Sequence, residues 1–313
     1  MKPNRIALAV HGGAGTIDRS NMTADREREY RAGIENALHA AREILDGGGS
    51  SLDAVEVAVR VLEDDPHFNA GKGSVFTSAG TNEMDAAIMD GKTLNAGAVA
   101  CVQHVRNPIS LARAVMEKSK HVMLIGSGAE EFAKANGVKF EDNKYFFTEH
   151  RWEELQNEKA KQKHADGSKK FITSGVESHG TVGAVARDWH GNLAAATSTG
   201  GITNKLPGRV GDSPVIGAGT YANNATAAVS CTGDGEFFIR AAVAHQISAL
   251  MELRGMSLAE AAERALADSQ KLGGTGGLIA VDKNGNVTLP FNTSGMYRGY
   301  LGENGKFTIE IYK

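Results

Sequence analysis

A hydroxyl group is a poor nucleophile until something takes its proton, and this chain holds none of the usual arrangements for doing so. His11-Gly12-Gly13 has the composition of an oxyanion loop, yet no Gly-x-Ser-x-Gly elbow accompanies it. There is no His-Glu-x-x-His and no Cys-x-x-Cys, and the ten histidines are scattered, which argues against zinc. Gly91-Lys92-Thr93 resembles the tail of a phosphate loop, but Ala86 stands where the first glycine belongs, so the segment reads as a hairpin turn. No Gly-x-Gly-x-x-Gly follows a strand and opens a helix, which removes dinucleotide chemistry. What remains is hydroxyl chemistry with neither histidine nor metal to activate it.

One hydroxyl nucleophile needs neither: a threonine that is itself the first residue of a chain. Its free α-amine, with a pKa of about 8, takes the proton from its own Oγ near neutral pH. Such a threonine is made by cutting the chain where a flexible segment meets a buried strand, after a small residue. Gly180-Thr181 meets these conditions, and Gly180 permits the strained backbone that an N-to-O acyl shift uses. The residues alone leave a second reading open, in which Thr181 is a β-branched residue opening a strand.

The elements that would position this bond are legible in outline. Ile6 to Val10 reads as a strand ending in a tight loop, His11 to Gly15. Thr23 caps a helix running to Leu45 and stopped by Gly47-Gly48-Gly49; Ser51 opens a second helix, which Pro66 closes. Ala86 to Met89 and Ala96 to Val102 form a hairpin around Asp90-Gly91-Lys92. Asn107-Pro108 starts a helix through Met116, and His121 to Ile125 is a strand. From about 137 to 180 charge becomes dense and periodicity fades after Leu155, which predicts a solvated linker over about 156–180. Thr181 to Ala186 and Asn192 to Thr197 form a buried hairpin. Helices over Glu236 to Leu253 and Ser257 to Ala267 precede a last hairpin, Gly277 to Val281 with Val287 to Pro290. Paired hairpins beside paired helices suggest a layered α+β sandwich rather than alternating βαβ units.

Composition narrows the function classes. The 313 residues carry 34 Lys+Arg against 37 Asp+Glu, so no basic field invites nucleic acid or an anionic membrane. No apolar run approaches the roughly 18 residues of a membrane span, and the start of the chain lacks a secretory apolar core. Cys101 and Cys231 are too few for a disulfide framework. A cytoplasmic globular protein is expected. Glycine is the anomaly, at 38 of 313 residues against a usual share of about 7%.

Gly180-Thr181-Val182-Gly183-Ala184-Val185-Ala186 resembles the signature of the plant-type asparaginases, the isoaspartyl peptidase family of N-terminal nucleophile hydrolases. The likeness extends through Ala9 to Gly15, Phe68-Asn69-Ala70-Gly71 with Gly73, and Met84-Asp85-Ala86 with Met89-Asp90-Gly91. It continues through Ala195 to Gly201, Gly208 to Pro214, Ser230 to Gly233, the glycines of 273–277, and Pro290-Phe291-Asn292. Only the linker and about the last dozen residues fall outside it.

The resemblance implies a four-layer αββα sandwich of the N-terminal nucleophile hydrolase type, one domain over 1–313. It implies self-cleavage at Gly180-Thr181 into an α subunit (1–180) and a β subunit (181–313), assembled as an (αβ)2 dimer. Thr181 is then nucleophile and base, and Thr199 orients it. Thr232 and Gly233 form the oxyanion hole, and Asn69 helps to hold the amine end of the nucleophile. A zwitterionic substrate needs one fixed cation and one fixed anion; Arg209 would take its carboxylate and Asp212 its ammonium, with Gly233 and Gly235 lining the pocket. The carbonyls of Leu62, Glu63, Asp65, Phe68, Ala70 and Lys72 would hold a structural sodium ion, and catalysis itself would need no cofactor. His179 and Asp234 depart from the family pattern. The implied activity is hydrolysis of β-aspartyl dipeptides and L-asparagine. The competing readings are a glycosylasparaginase, which typically has Asp before the threonine, and a non-enzymatic Gly-loop binding module.

Overall fold

The computed structural model describes residues 5–164 and 180–313. The chain opens with β1 (Ala7–Gly15), then α1 (Ala24–Asp46) and α2 (Ser51–Asp64). Thr23 and Ser50 cap these two helices, their hydroxyls accepting from the N–H groups of Arg26 and Asp53. Next come β2 (Met84–Asp90), β3 (Ala96–Val102), α3 (Pro108–Lys118), β4 (Met123–Ile125), α4 (Gly126–Ala135), α5 (Asn143–Phe146) and α6 (Glu149–His164). After Thr181 follow β5 (Val182–Arg187), β6 (Leu193–Thr199), β7 (Thr220–Ala222), β8 (Ala227–Gly233), α7 (Gly235–Ala241), α8 (Val243–Arg254) and α9 (Leu258–Lys271). The chain ends in β9 (Gly276–Asp282), β10 (Val287–Thr288), β11 (Gly295–Leu301) and β12 (Phe307–Tyr312).

Two sheets stack face to face. The larger has the order β12-β11-β1-β5-β6-β2-β3-β4, and the smaller β10-β9-β8-β7. Ala9, Val185, Ala195, Ala228 and Ile279 fill the space between them. Helices α1, α2 and α3 cover the outer face of the large sheet through Ile34, Leu38, Val55, Val59 and Ile109. Helices α7 to α9 cover the small sheet through Phe238, Ile247, Ala262 and Leu266. This is the expected αββα sandwich. Strands β1, β5, β6 and β9 are buried along their whole length, which is why they show little polar–apolar alternation, although β1 carries His11 and β6 ends in Thr197-Ser198-Thr199.

Three expectations need correction. His11 to Gly15 is not a loop: it continues β1 and pairs with β11, with an irregularity between His11 and Ala14. The helix expected over Glu236 to Leu253 is broken at Ala242, which adopts left-handed backbone at φ 49° and separates α7 from α8. Residues 156–164, assigned to a flexible linker, belong to α6; residues 165–179 lie outside the described part. Helix α6 has no apolar stripe to announce it. It is anchored by Arg151, whose Nε donates to the Gly73 carbonyl at 2.9 Å, and by Trp152, set edge-on to Phe76. Glu154 pairs with His150 and Arg151 one turn away. Strands β7, β8, β11 and β12 had no counterpart in the sequence reading.

Candidate active site

Thr181 sits at the head of β5, in the middle of the large sheet between β1 and β6. It is buried, and its Oγ1 donates to Thr199 Oγ1 at 3.1 Å. Thr199, the last residue of β6, also accepts from the Gly201 N–H at 2.9 Å. Two hydroxyls and a backbone turn thus fix the Thr181 hydroxyl, with no charged side chain in the hydrogen-bonded set among the described residues.

Asn69 ties this turn to the bond before Thr181. Its Nδ2 donates to the Gly201 carbonyl at 2.6 Å, its Oδ1 accepts from the Val75 N–H at 3.0 Å, and its carbonyl accepts from the Gly200 N–H at 3.0 Å. Its own N–H donates to the Gly180 carbonyl at 3.1 Å. The side chain therefore holds the Thr199 turn rather than Thr181, and the backbone N–H polarises the carbonyl that Thr181 Oγ1 would attack. A Cβ at residue 180 would stand 2.6 Å from Asn69 Cβ, so only glycine fits this close approach.

The facing sheet supplies the oxyanion candidates. Strand β5 packs on β8, whose buried Thr232 accepts from the Ala14 N–H at 3.3 Å. Asp212 is wedged between two glycines: a Cβ on Gly235 would meet its Oδ1 at 2.9 Å, and one on Gly219 its carbonyl oxygen at 2.5 Å. Asp234, one of the departures from the family pattern, turns its carboxylate to the Thr275 N–H and hydroxyl, each at 2.8 Å, and so closes the corner between β8 and β9.

Arg209 does not pair with Asp212. Its Nε and NH2 form a fork on both oxygens of Glu236, at 2.9 and 2.8 Å. Partial burial raises the Glu236 carboxyl, but Arg209 outweighs it and holds it below the ordinary range. Glu236 escaped the sequence reading, although it directly follows Gly235 in the first turn of α7. The fork is the geometry that a substrate carboxylate would use.

His11 also escaped assignment as a site residue. It is fully buried, its Nε2 lies 2.9 Å from Ser230 Oγ, and burial pushes its pKa down to about 3, although contact with the Thr181 backbone works the other way. It is a neutral imidazole on the strand beside β5.

The segment from Leu62 to Lys72, where the carbonyl set for a sodium ion was expected, is a tight turn. Gly71 has φ +52°, and a Cβ there would collide with the Glu63 carbonyl; one on Gly73 would collide with that of Phe68. The loop is folded back so tightly that its carbonyls crowd around bare glycines. The Glu63 side chain points elsewhere, accepting from Ser198 Oγ at 2.6 Å and the Ile109 N–H at 3.0 Å, and burial raises its pKa to about 8. Among the described residues no cluster of three or more His, Cys, Asp or Glu side chains could hold a metal, and no helix is long and apolar enough to cross a membrane.

A family model described as Asparaginase matches residues 4–311. The chain belongs to this asparaginase family. It is 53% identical over 313 residues to the isoaspartyl peptidase of Salmonella typhimurium, covering 99% of each chain. It is 54% identical over 317 residues to the isoaspartyl peptidase of Escherichia coli, covering 99% of this chain and 97% of that one. The isoaspartyl peptidase/L-asparaginase of Mus musculus is 47% identical over 309 residues, covering 98% and 90%.

Proposed function

We propose that the protein is a self-processing amidohydrolase that releases L-aspartate from β-aspartyl dipeptides and L-asparagine. The observation that carries this is the pairing at one bond: Thr181 Oγ1 held by Thr199, and the Gly180 carbonyl held by the Asn69 N–H. In maturation Thr181 Oγ attacks the Gly180 carbonyl, the C–N bond breaks as the ester forms, and water hydrolyses that ester. Gly180 leaves as a carboxylate and Thr181 keeps a free amine. The chain is then an α subunit, 1–180, and a β subunit, 181–313, which we assign to an (αβ)2 dimer.

In turnover the Thr181 amine takes the proton from its own Oγ, which attacks the side-chain amide carbonyl of the substrate. Thr232 Oγ1 and the Gly233 N–H face the developing oxyanion. The leaving amine takes the proton and departs as ammonia or as an amino acid; water then cleaves the β-aspartyl ester and restores Thr181. Arg209 exchanges Glu236 for the substrate α-carboxylate, Asp212 accepts from its α-ammonium, and Gly235 leaves them room. We assign a structural sodium ion to the 62–72 carbonyls, no cofactor to the chemistry, and the cytoplasm as the compartment. No observation favours glycosylated asparagine, and the names of the relatives speak for isoaspartyl peptides and asparagine.

The test is aspartate release from β-Asp-Leu by wild type and by Thr181→Ala. Wild type is expected to turn over, and to do so faster than on glycosylated asparagine, with the variant silent. Equal rates from the two proteins would refute the assignment.

A further inference from the structure

One short segment, 201–209, carries parts of both halves of the proposed site. At its start Gly201 closes the turn at Thr199: its N–H donates to Thr199 Oγ1 at 2.9 Å, and its carbonyl accepts from Asn69 Nδ2 at 2.6 Å. At its end the Arg209 N–H donates to the Leu206 carbonyl at 3.0 Å, closing a turn in which Gly208 has φ +84°. That turn presents the Arg209 fork. Whatever fixes this segment therefore fixes the spacing between nucleophile and clamp.

Glu83, the residue before β2, grips the segment at two points. Its carbonyl accepts from Lys205 Nζ at 2.8 Å, and its Oε2 accepts from the Gly208 N–H at 2.8 Å. An ammonium and a backbone N–H only donate, so each bond has one possible direction. Glu83 and Lys205 are 6% and 3% exposed. The Lys205 ammonium lies directly against the turn at Thr199, since a Cβ on Gly201 would stand 2.8 Å from Nζ. Burial pulls the Lys205 pKa down, while the Asp85 and Glu83 carboxylates oppose that pull. The proposed reaction gives neither Glu83 nor Lys205 a part.

We propose that Glu83 is a positioning residue for the substrate clamp. Its carboxylate holds the Gly208 N–H, and through it the Arg209 arm, at a fixed reach, so that the enzyme selects substrates by a free α-carboxylate. This rests on the reading that Arg209 takes that carboxylate. The two grips divide the work. The carbonyl grip, through Lys205, supports Gly201 and the nucleophile, and no side-chain substitution at Glu83 removes that acceptor. The carboxylate grip supports the arm alone. A bidentate fork tolerates little displacement, since misplacement by an ångström costs up to about 10²-fold.

The experiment uses fully cleaved enzyme, with the cut verified by mass, and two substrates: β-Asp-Leu and its analogue with the aspartyl α-carboxylate converted to the carboxamide. Wild type is expected to prefer the free acid by about 10²-fold in kcat/KM. Glu83→Ala is expected to raise KM for β-Asp-Leu about tenfold with kcat within about twofold of wild type. Its kcat/KM on the carboxamide is expected to stay within about twofold. Amide exchange at Gly208 is expected to quicken about tenfold in the same variant. Equal losses on both substrates, an unchanged KM, or unchanged exchange at Gly208 would each overturn the proposal. If Glu83→Ala fails to fold or to cleave, Glu83→Asp decides, because it draws the carboxylate back by one methylene. A KM raised about threefold on the free acid alone supports the proposal, and an unchanged KM overturns it. A wild type that does not distinguish the two substrates would sink the Arg209 reading and the selection with it, while Gly208 exchange would still report whether Glu83 holds the arm.

Discussion

The proposed nucleophile and the proposed substrate clamp are built from opposite materials. Around Thr181 the partners are Thr199, the backbone of Asn69, Gly200 and Gly201, and a neutral His11, all buried. At the clamp an ion pair dominates, with Arg209 forked onto a Glu236 side chain that is 47% exposed. The first region is closed by hydrogen bonds among buried hydroxyl, amide and backbone groups. The second suits the proposed exchange, because an exposed carboxylate partner is weakly held. Chemistry needs fixed geometry, whereas binding and release need a partner that lets go.

Substitutions break this contrast in order of size. Arg209→Ala removes the fork for the substrate carboxylate and is expected to cost about 10²-fold in kcat/KM on β-Asp-Leu, mostly through KM. Thr199→Val keeps the shape of the strand but removes the acceptor for Thr181. It is expected to lower kcat by roughly 10-fold or more with KM little changed, as stopped-time aspartate assays would show. Glu236→Gln breaks only the exchangeable partner, and a change in kcat/KM below about fivefold is expected. A larger loss there would mean that the clamp is as rigid as the nucleophile.

Acid stability sharpens the same contrast. His11 has its folded pKa depressed from 6.5 to about 3, so the unfolded chain binds its proton first as pH falls. Its contribution is present above pH 6.5 and is lost progressively between 6.5 and 3. Melting temperatures of wild type are expected to fall more steeply across that window than those of His11→Asn, which has no ring to protonate. Parallel slopes would remove His11 as the cause.

The sandwich was legible because its outer helices carry apolar stripes and caps, and because β5 up to Ala186 and the first half of β6 are apolar. Helix α6 was not, since its contacts are made by Arg151 and Trp152 rather than by a periodic stripe. Strand β8 hides in the small residues Ala227 and Ala228, and β1 continues through glycines that ordinarily mark loops. At the candidate site, Gly180 and Thr181 were named through their place at a boundary and Thr181 again through motif likeness, which alone named Thr199, Arg209 and Asp212. Glu236 and His11 were not, because pairing and burial are properties of the fold. The glycine surplus has a partial address: Gly180, Gly183, Gly219 and Gly235 are places where another group stands too close for a Cβ.

Everything rests on the bond between Gly180 and Thr181. Intact-mass measurement of the purified, incubated protein tests it most directly, run beside Thr181→Ala. The expected result is two fragments from wild type, the second beginning at Thr181, and one uncut chain from the variant. An uncut wild type, or a cut at any other bond, would contradict the account.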